Sequence, residues 1–259
     1  MTPPRTKKRI RVGLWLVVIA SLVLLRYRGR VAWVLSLHEW LAERGVPAWA
    51  RNLDNDVLLL AFGVLLWASM RRGSGGRSGG LLEDIGLRRG VARGCVIGLV
   101  ISLPMLLLGA VTGGVTFTGA MVRIVGTGPF VEEWFFRGVL VLALVRLVGG
   151  RFWPTAIAGG VLFGLVHVQW TAAGFAQGWP HMLFTTAGGI WYAWLAREWG
   201  RNLWVVVVAH ASMNLSSPWY GADNGMSLAI GTGATIVLGT VMTIRPAWLG
   251  MGWARSLRR

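Results

Sequence analysis

The feature that most constrains this chain is the clustering of its apolar residues into eight blocks, separated by short polar or basic segments. A membrane-spanning helix needs about 20 mainly apolar residues, with a range of roughly 17–25. Several blocks are shorter than this range, including the fifth and the seventh. Helices in a bundle can nevertheless be short where neighbouring helices cover them. The blocks are residues 10–25, 57–70, 91–111, 128–148, 155–168, 182–196, 203–217 and 227–244.

Composition supports a membrane protein over a soluble one. Hydrophobic residues make up 54% of the 259 residues and charged residues only 14%, whereas a soluble domain carries about 25% charged residues. The single cysteine, Cys95, excludes an internal disulfide. We therefore predict an all-α, polytopic membrane protein of about eight transmembrane helices.

The net charge of +16 is best explained by membrane topology. When eight spans are counted from a cytoplasmic N-terminus, most Lys and Arg residues fall on the inner side, as the positive-inside rule requires. Both termini are then cytoplasmic. Because no basic run is interleaved with aromatic residues on a soluble face, we expect no nucleic-acid partner. Many of the 16 tryptophans lie near proposed helix ends, the depth that amphipathic rings favour.

Three regions follow from this pattern. Residues 1–90 combine a signal-anchor helix without a small-residue cleavage site, a surface segment at residues 31–42, the second span and a Gly/Ser-rich inner linker at residues 73–80. Residues 91–245 form a membrane bundle that holds the functional groups. Residues 246–259 form a basic cytoplasmic tail.

Five ionisable side chains lie inside the predicted spans, where charges are costly and are functional candidates by default. The fourth block contains Glu132, Glu133 and Arg137, the fifth contains His167, and the seventh contains His210, followed four residues later by Asn214. Residues at i and i+4 share a helix face, whereas adjacent glutamates point about 100° apart. The glutamate pair, His167, His210 and Asn214 fall in the outer half of the predicted bilayer, which predicts a polar active-site cavity there.

Peptide hydrolysis fits such a set of groups. A carboxylate can take a proton from water and return it to the leaving amine, with a histidine as helper. A second histidine and an amide can stabilise the oxyanion. Each residue taken singly has a structural explanation: a satisfied core histidine, or a Glu–Arg pair at i,i+4 that clamps a helix. The glutamates could also form the proton relay of a transporter, although we see no internal repeat.

Three sequence phrases carry a family resemblance. They are Glu132-Glu133-Trp-Phe-Phe-Arg137, Phe163-Gly-Leu-Val-His167 and His210-Ala-Ser-Met-Asn214. They resemble the EExxxR, FxxxH and HxxxN motifs of the CPBP family, membrane proteases related to the type II CAAX prenyl endopeptidases and also called the ABI family. All three occur in order on separate predicted spans, and the resemblance covers roughly residues 91–245.

The resemblance implies an intramembrane endopeptidase with a role for each motif residue. Glu132 would activate water and His167 would assist it, while His210 and Asn214 would form the oxyanion hole. Glu133 and Arg137 would support the site, and Phe163 would pack beside it. No cofactor is favoured. Zinc stays an alternative, with Glu132, His167 and His210 as its three ligands, although the HExxH pair of zincins is absent from the sequence.

The expected partners are the lipid bilayer and a peptide or protein substrate in the membrane. Because the predicted cavity lies in the outer half, a membrane-associated or exported substrate is favoured, such as a C-terminal sorting segment or a peptide precursor, alongside CAAX-like processing. A prokaryotic inner (cytoplasmic) membrane fits the composition. The alternatives are a non-catalytic bacteriocin-immunity or scaffold membrane protein and a zinc-dependent membrane protease.

Overall fold

The structure, a computed structural model, describes residues 39–47, 50, 53–75, 78–88, 90–115, 121–221 and 223–244. Among these residues all regular secondary structure is helical, as the sequence predicts. The first predicted span, most of the surface segment at residues 31–42, and the basic tail lie outside the described residues. The described helices are α1 Leu53–Arg72, α2 Leu81–Asp84, α3 Val91–Thr112, α4 (residues 122–148), α5 Phe152–Val166, α6 Ala172–Glu198, α7 Trp204–Ser216, a short 3-10 turn Ser217–Tyr220, and α8 Gly225–Ile244.

Each of the seven predicted spans in the described part of the chain corresponds to a helix. Three helices, α1, α3 and α8, are long and apolar enough to cross a membrane. Helix α7 has 13 residues and is therefore about 20 Å long, shorter than a bilayer core of about 30 Å. The predicted number of eight spans therefore stays a prediction.

Helix α6 begins ten residues earlier than the predicted block at residues 182–196. Thr171 explains the early start, since its side chain accepts a hydrogen bond from Gly174 N at 3.0 Å and caps the helix. Pro180 lies inside α6. The sequence pattern placed this stretch in a connection because Gly and Pro interrupt the apolar run there.

Helix α4 contributes much of the buried core of the bundle through its third segment. It consists of four consecutive segments, and every residue of the third segment is buried. The first and third segments are π-helical, a geometry that is rare and frequently found at functional sites. The segments are Val122–Thr127, Gly128–Glu132, Glu133–Ala143 and Leu144–Val148.

Close helix packing depends on small residues at defined positions. Helices α3 and α7 pack against each other, and a Cβ atom on Gly98 would fall 2.5 Å from the carbonyl oxygen of Val205. Glycine at position 98 therefore allows α7 to approach α3. This contact covers α7, whose Val205 and Val206 side chains are fully buried despite the short length of the helix.

A polar cluster around Asp84 joins one end of the bundle. The buried Asp84 carboxylate accepts hydrogen bonds from Trp67 Nε1 at 2.9 Å and Ser78 Oγ at 2.6 Å, and lies 3.3 Å from Arg146 Nε. Arg201 Nη2 donates to the Asp84 backbone carbonyl at 2.8 Å. The cluster thus joins the end of α1, the Gly/Ser-rich linker, the end of α4 and the connection between α6 and α7. The topology prediction assigns all four segments to the same side of the membrane.

Candidate active site

The two adjacent glutamates lie where one α4 segment ends and the π-helical segment begins. Glu132 is the last residue of Gly128–Glu132, and Glu133 is the first of Glu133–Ala143. The Glu132 side chain is 31% exposed and that of Glu133 is fully buried. The predicted divergence of the two carboxylates is therefore present, because only Glu132 of the two is partly exposed.

Glu133 joins two helices through a single carboxylate oxygen. Its Oε1 lies 2.9 Å from Arg137 Nη1 and 2.8 Å from His210 Nδ1. Among the described residues, the buried Glu133 Oε2 and Arg137 Nη2 atoms have no hydrogen-bond partner. A buried pair of this kind is costly to break, because removing one partner leaves an uncompensated charge.

The Arg137 guanidinium is enclosed by aromatic rings and backbone. Its Cζ lies 4.0 Å from the centre of the Phe163 ring and 5.5 Å from that of Tyr192, and its Nε donates to Gly189 O at 3.4 Å. Aromatic faces stabilise a cation at such distances. These contacts hold Arg137 beside Glu133 and connect α4 with α5 and α6.

His210 lies between the two glutamates. Its Nδ1 faces Glu133, and its Nε2 lies 3.9 Å from Glu132 Oε2. Since a carboxylate only accepts hydrogen bonds, Nδ1 carries the proton that it donates to Glu133. In the neutral ring Nε2 is then an acceptor, and it becomes a donor only when the imidazole is protonated.

His167 ends α5 on the exposed side of Phe163. Its Nδ1 donates to the Phe163 backbone carbonyl at 2.6 Å, and its ring centre lies 4.3 Å from the Phe163 ring. Phe163 also approaches the His210 ring at 6.3 Å. The predicted packing residue Phe163 therefore contacts both motif histidines and Arg137.

Asn214 lies one turn beyond His210 on α7. Its Nδ2 donates to the backbone carbonyl of Ile124 at 3.0 Å, in the first π-helical segment of α4. One of the two amide protons is thereby used within the protein.

Three site residues carry no motif signal in the sequence. The Tyr192 ring lies 5.6 Å from His210, and its hydroxyl donates to Met213 Sδ at 3.0 Å. The His181 ring lies 6.1 Å from His167, and Gly189 lies beside Arg137. In the sequence Tyr192 is one aromatic residue inside the apolar block at residues 182–196, and His181 lies in an apparent connection.

The alternative zinc site requires Glu132, His167 and His210 to act as three ligands of one metal ion. Among the residues that the structure describes, no group of three or more His, Cys, Asp or Glu side chains is placed to hold a metal ion. Glu132 Oε2 lies 3.9 Å from His210 Nε2, but these two residues and His167 are not placed together as a three-ligand group. We therefore assign no step of the chemistry to a metal.

Comparison with known proteins shows what the part of the chain that contains this site resembles. Residues 114–216 match the family model described as type II CAAX prenyl endopeptidase Rce1-like. The match contains all three motifs and lies within the predicted bundle at residues 91–245. No curated protein and no solved structure matches the chain. The chain is therefore an integral membrane protein whose residues 114–216 are similar to the Rce1-like type II CAAX prenyl endopeptidases.

Proposed function

We propose that this protein is a glutamate-dependent intramembrane endopeptidase that hydrolyses a peptide bond of a membrane-associated or exported protein. The observation that carries the proposal is the difference in burial and pairing between the two glutamates. Glu133 is buried and bound to Arg137 and His210, whereas Glu132 is exposed and lies beside the second nitrogen of the same histidine.

The first step uses Glu132 as the base. Its carboxylate takes a proton from a water molecule, and the resulting hydroxyl attacks the scissile carbonyl carbon. The carbonyl π electrons move to oxygen and give a tetrahedral oxyanion. His167, held by Phe163, helps to orient the attacking water.

The second step breaks the C–N bond. The oxyanion electrons re-form the carbonyl, and the departing nitrogen takes the proton that Glu132 had accepted. Products are a carboxylic acid and an amine, so atoms and protons balance without another reactant. The same glutamate thus acts as base and then as acid.

His210 and Asn214 stabilise the oxyanion between these steps. Because His210 Nδ1 donates to Glu133, its Nε2 donates to an oxyanion only in the imidazolium form. Glu133 then shares its single negative charge between that imidazolium and Arg137. Asn214 contributes the amide proton not used by Ile124. The zinc-dependent protease stays the competing mechanism for the same reaction.

The substrate proposal rests on topology. With both termini in the cytoplasm, Glu132 and His210 lie in the outer half of a prokaryotic inner membrane. A membrane-anchored sorting segment or an exported precursor reaches that depth directly. A prenylated cytosolic tail, the substrate of CAAX-like processing, does not.

Comparison of protein termini in native-host membranes that contain the wild type or Glu132→Ala at matched abundance tests the proposal. We expect a defined set of new N-termini in the wild type that vanishes in the variant. Those termini name the substrate and the cleavage site. Purified protein in liposomes, given the identified segment or a farnesylated CAAX peptide, then distinguishes direct from indirect cleavage.

Identical termini in both membranes would contradict the proposal. If the variant also rescued a phenotype of gene loss, the scaffold or immunity function would replace it. Solute uptake that depends on Glu132, without any cleavage, would favour the transporter.

A further inference from the structure

A buried acidic residue on α1 lies outside the matched domain and outside every motif. Asp56 is in the first turn of α1, and its side chain is only 7% exposed. A buried carboxylate is costly unless it is paired and hydrogen-bonded. The groups that pair with the Asp56 carboxylate therefore indicate its role.

Both carboxylate oxygens of Asp56 are bound by the first π-helical segment of α4, Val122–Thr127. Arg123 Nη2 donates to Oδ1 at 3.3 Å, and Thr127 Oγ1 donates to Oδ2 at 2.9 Å. The two donors lie at opposite ends of the six-residue segment. Asp56 therefore fixes both the position and the rotation of that segment against α1.

The same segment also contacts the candidate active site. The carbonyl oxygen of Ile124, the residue after Arg123, accepts the amide proton of Asn214. The segment Val122–Thr127 is thus held between α1 and α7. It continues directly into Gly128–Glu132, which carries the proposed base.

We infer that Asp56 is a positioning residue of the active site, which orients the Asn214 amide through the segment Val122–Thr127 and the Ile124 carbonyl. Asp56 touches neither substrate nor reacting atoms. The catalytic part of this inference, the effect of Asp56 on cleavage, rests on the proposed function. Its structural part, the placement of the segment by Asp56, stands independently.

A purely local role for Asp56 is a weaker explanation. An acidic residue in the first turn of a helix interacts favourably with the helix dipole, and Asp54 already supplies that charge. The two oxygens of Asp56 are instead directed at α4. Removal of the carboxylate would leave Arg123 without its buried counter-charge and free the segment from α1.

The first experiment measures the position of the segment without any substrate. In a Cys95→Ser background, spin labels at Val122→Cys and Arg151→Cys, exposed positions at the two ends of the bundle, report one distance by double electron–electron resonance. We expect a narrow distribution in the parent and a shifted or broadened one in Asp56→Ala. Asp56→Asn, which keeps an acceptor, should restore most of the parent distribution. Unchanged distances in Asp56→Ala would overturn the inference.

The second experiment measures cleavage of the segment identified from the native-host termini. We expect Asp56→Ala to lower kcat by about tenfold with KM nearly unchanged, less than the roughly 10²-fold loss expected for an oxyanion donor. In the Asp56→Ala/Asn214→Ala double variant, activity should stay within about twofold of Asn214→Ala, because residues that act through one contact are not additive. If the activity losses of the two single variants multiply in the double variant, Asp56 does not act through Asn214 and the inference is overturned.

Glu83→Gln is the matched control. It removes an ion pair with Arg146 at 2.8 Å, at the other end of α4, and should leave kcat unchanged. A wild type that cleaves nothing would contradict the proposed function, and the spin-label distances would still decide the placement of the segment.

Discussion

His210 and Glu133 are joined across α7 and α4 by a 2.8 Å contact between Nδ1 and Oε1. This contact fixes which histidine nitrogen faces the exposed Glu132. It also places the two glutamates of the EExxxR motif in different surroundings, because Glu133 is buried and paired whereas Glu132 is partly exposed.

Substitution of the two glutamates should therefore have different effects on stability. Glu133→Gln removes the charge that compensates Arg137, and breaking such a buried pair costs about 3–5 kcal/mol, so the unfolding temperature and activity should both fall. Glu132→Gln should abolish cleavage with an unchanged unfolding temperature. Tryptophan fluorescence of the solubilised protein and cleavage of the identified substrate measure the two effects. Equal unfolding temperatures for Glu133→Gln and Glu132→Gln would contradict the different roles of the two glutamates.

Two adjacent glycines on α6 provide a sharper steric test. A Cβ on Gly189 would lie 3.3 Å from Arg137 Nη2 and 3.1 Å from Gly160 Cα, whereas a Cβ on Gly188 meets nothing within 4 Å. Gly189→Ala should displace Arg137 and lower both stability and cleavage, by about 1–3 kcal/mol for an overpacked site. Gly188→Ala is the control and should match the wild type. Two variants with the same unfolding temperature and activity would show that Arg137 is not held this tightly.

The sequence predicted the residues of the site better than their geometry. Glu132, Glu133, Arg137, His167 and His210 are recognisable because charge inside an apolar run has few structural uses. The π-helical backbone of α4 has no sequence signal, since the same apolar residues suit an α-helix. Its effect is nevertheless large, because the segment Val122–Thr127 places a backbone carbonyl at Asn214.

The fold prediction is also limited by features of the structure that leave no mark in the local hydropathy pattern. Hydropathy located the helices, but the start of α6 depends on one cap, Thr171, inside a stretch that Gly and Pro make look irregular. Tyr192 and Gly189 belong to the site only because α6 crosses α4 and α5 there. Such contacts between distant segments are not encoded in any local pattern.

Asn214 should contribute to the rate more than to binding. Removal of an oxyanion donor costs about 10²–10³ in kcat, so Asn214→Ala should show that loss with KM within a few fold of the wild type. Asn224→Ala, an amide beyond α7 that lies outside the site, is the matched control. A loss confined to KM would place Asn214 in substrate binding and remove it from the oxyanion hole.

Metal dependence is directly measurable in the purified protein. Because Glu132, His167 and His210 do not converge as ligands, we expect far less than one zinc per chain by mass spectrometry and no loss of cleavage with 1,10-phenanthroline. Zinc near one per chain, lost together with activity on chelation and reduced in His210→Ala, would establish the metalloprotease mechanism instead.

The orientation of the bundle decides which substrates reach Glu132. The structure places the Asp84 cluster at one end of α4 and the contact between Asp56 and Arg123 at the other, and the arginine pattern assigns the Asp84 end to the cytoplasm. In a Cys95→Ser background, Gln177→Cys on the exposed start of α6 should react with an impermeant maleimide in intact cells, whereas Arg88→Cys should react only after permeabilisation. A cysteine at position 174, near Gln177 on α6, is avoided as the label site because a Cβ there would lie 2.5 Å from the Gln169 carbonyl oxygen. The reversed labelling pattern would turn the site toward the cytosol, and prenylated cytosolic tails would then become the favoured substrates.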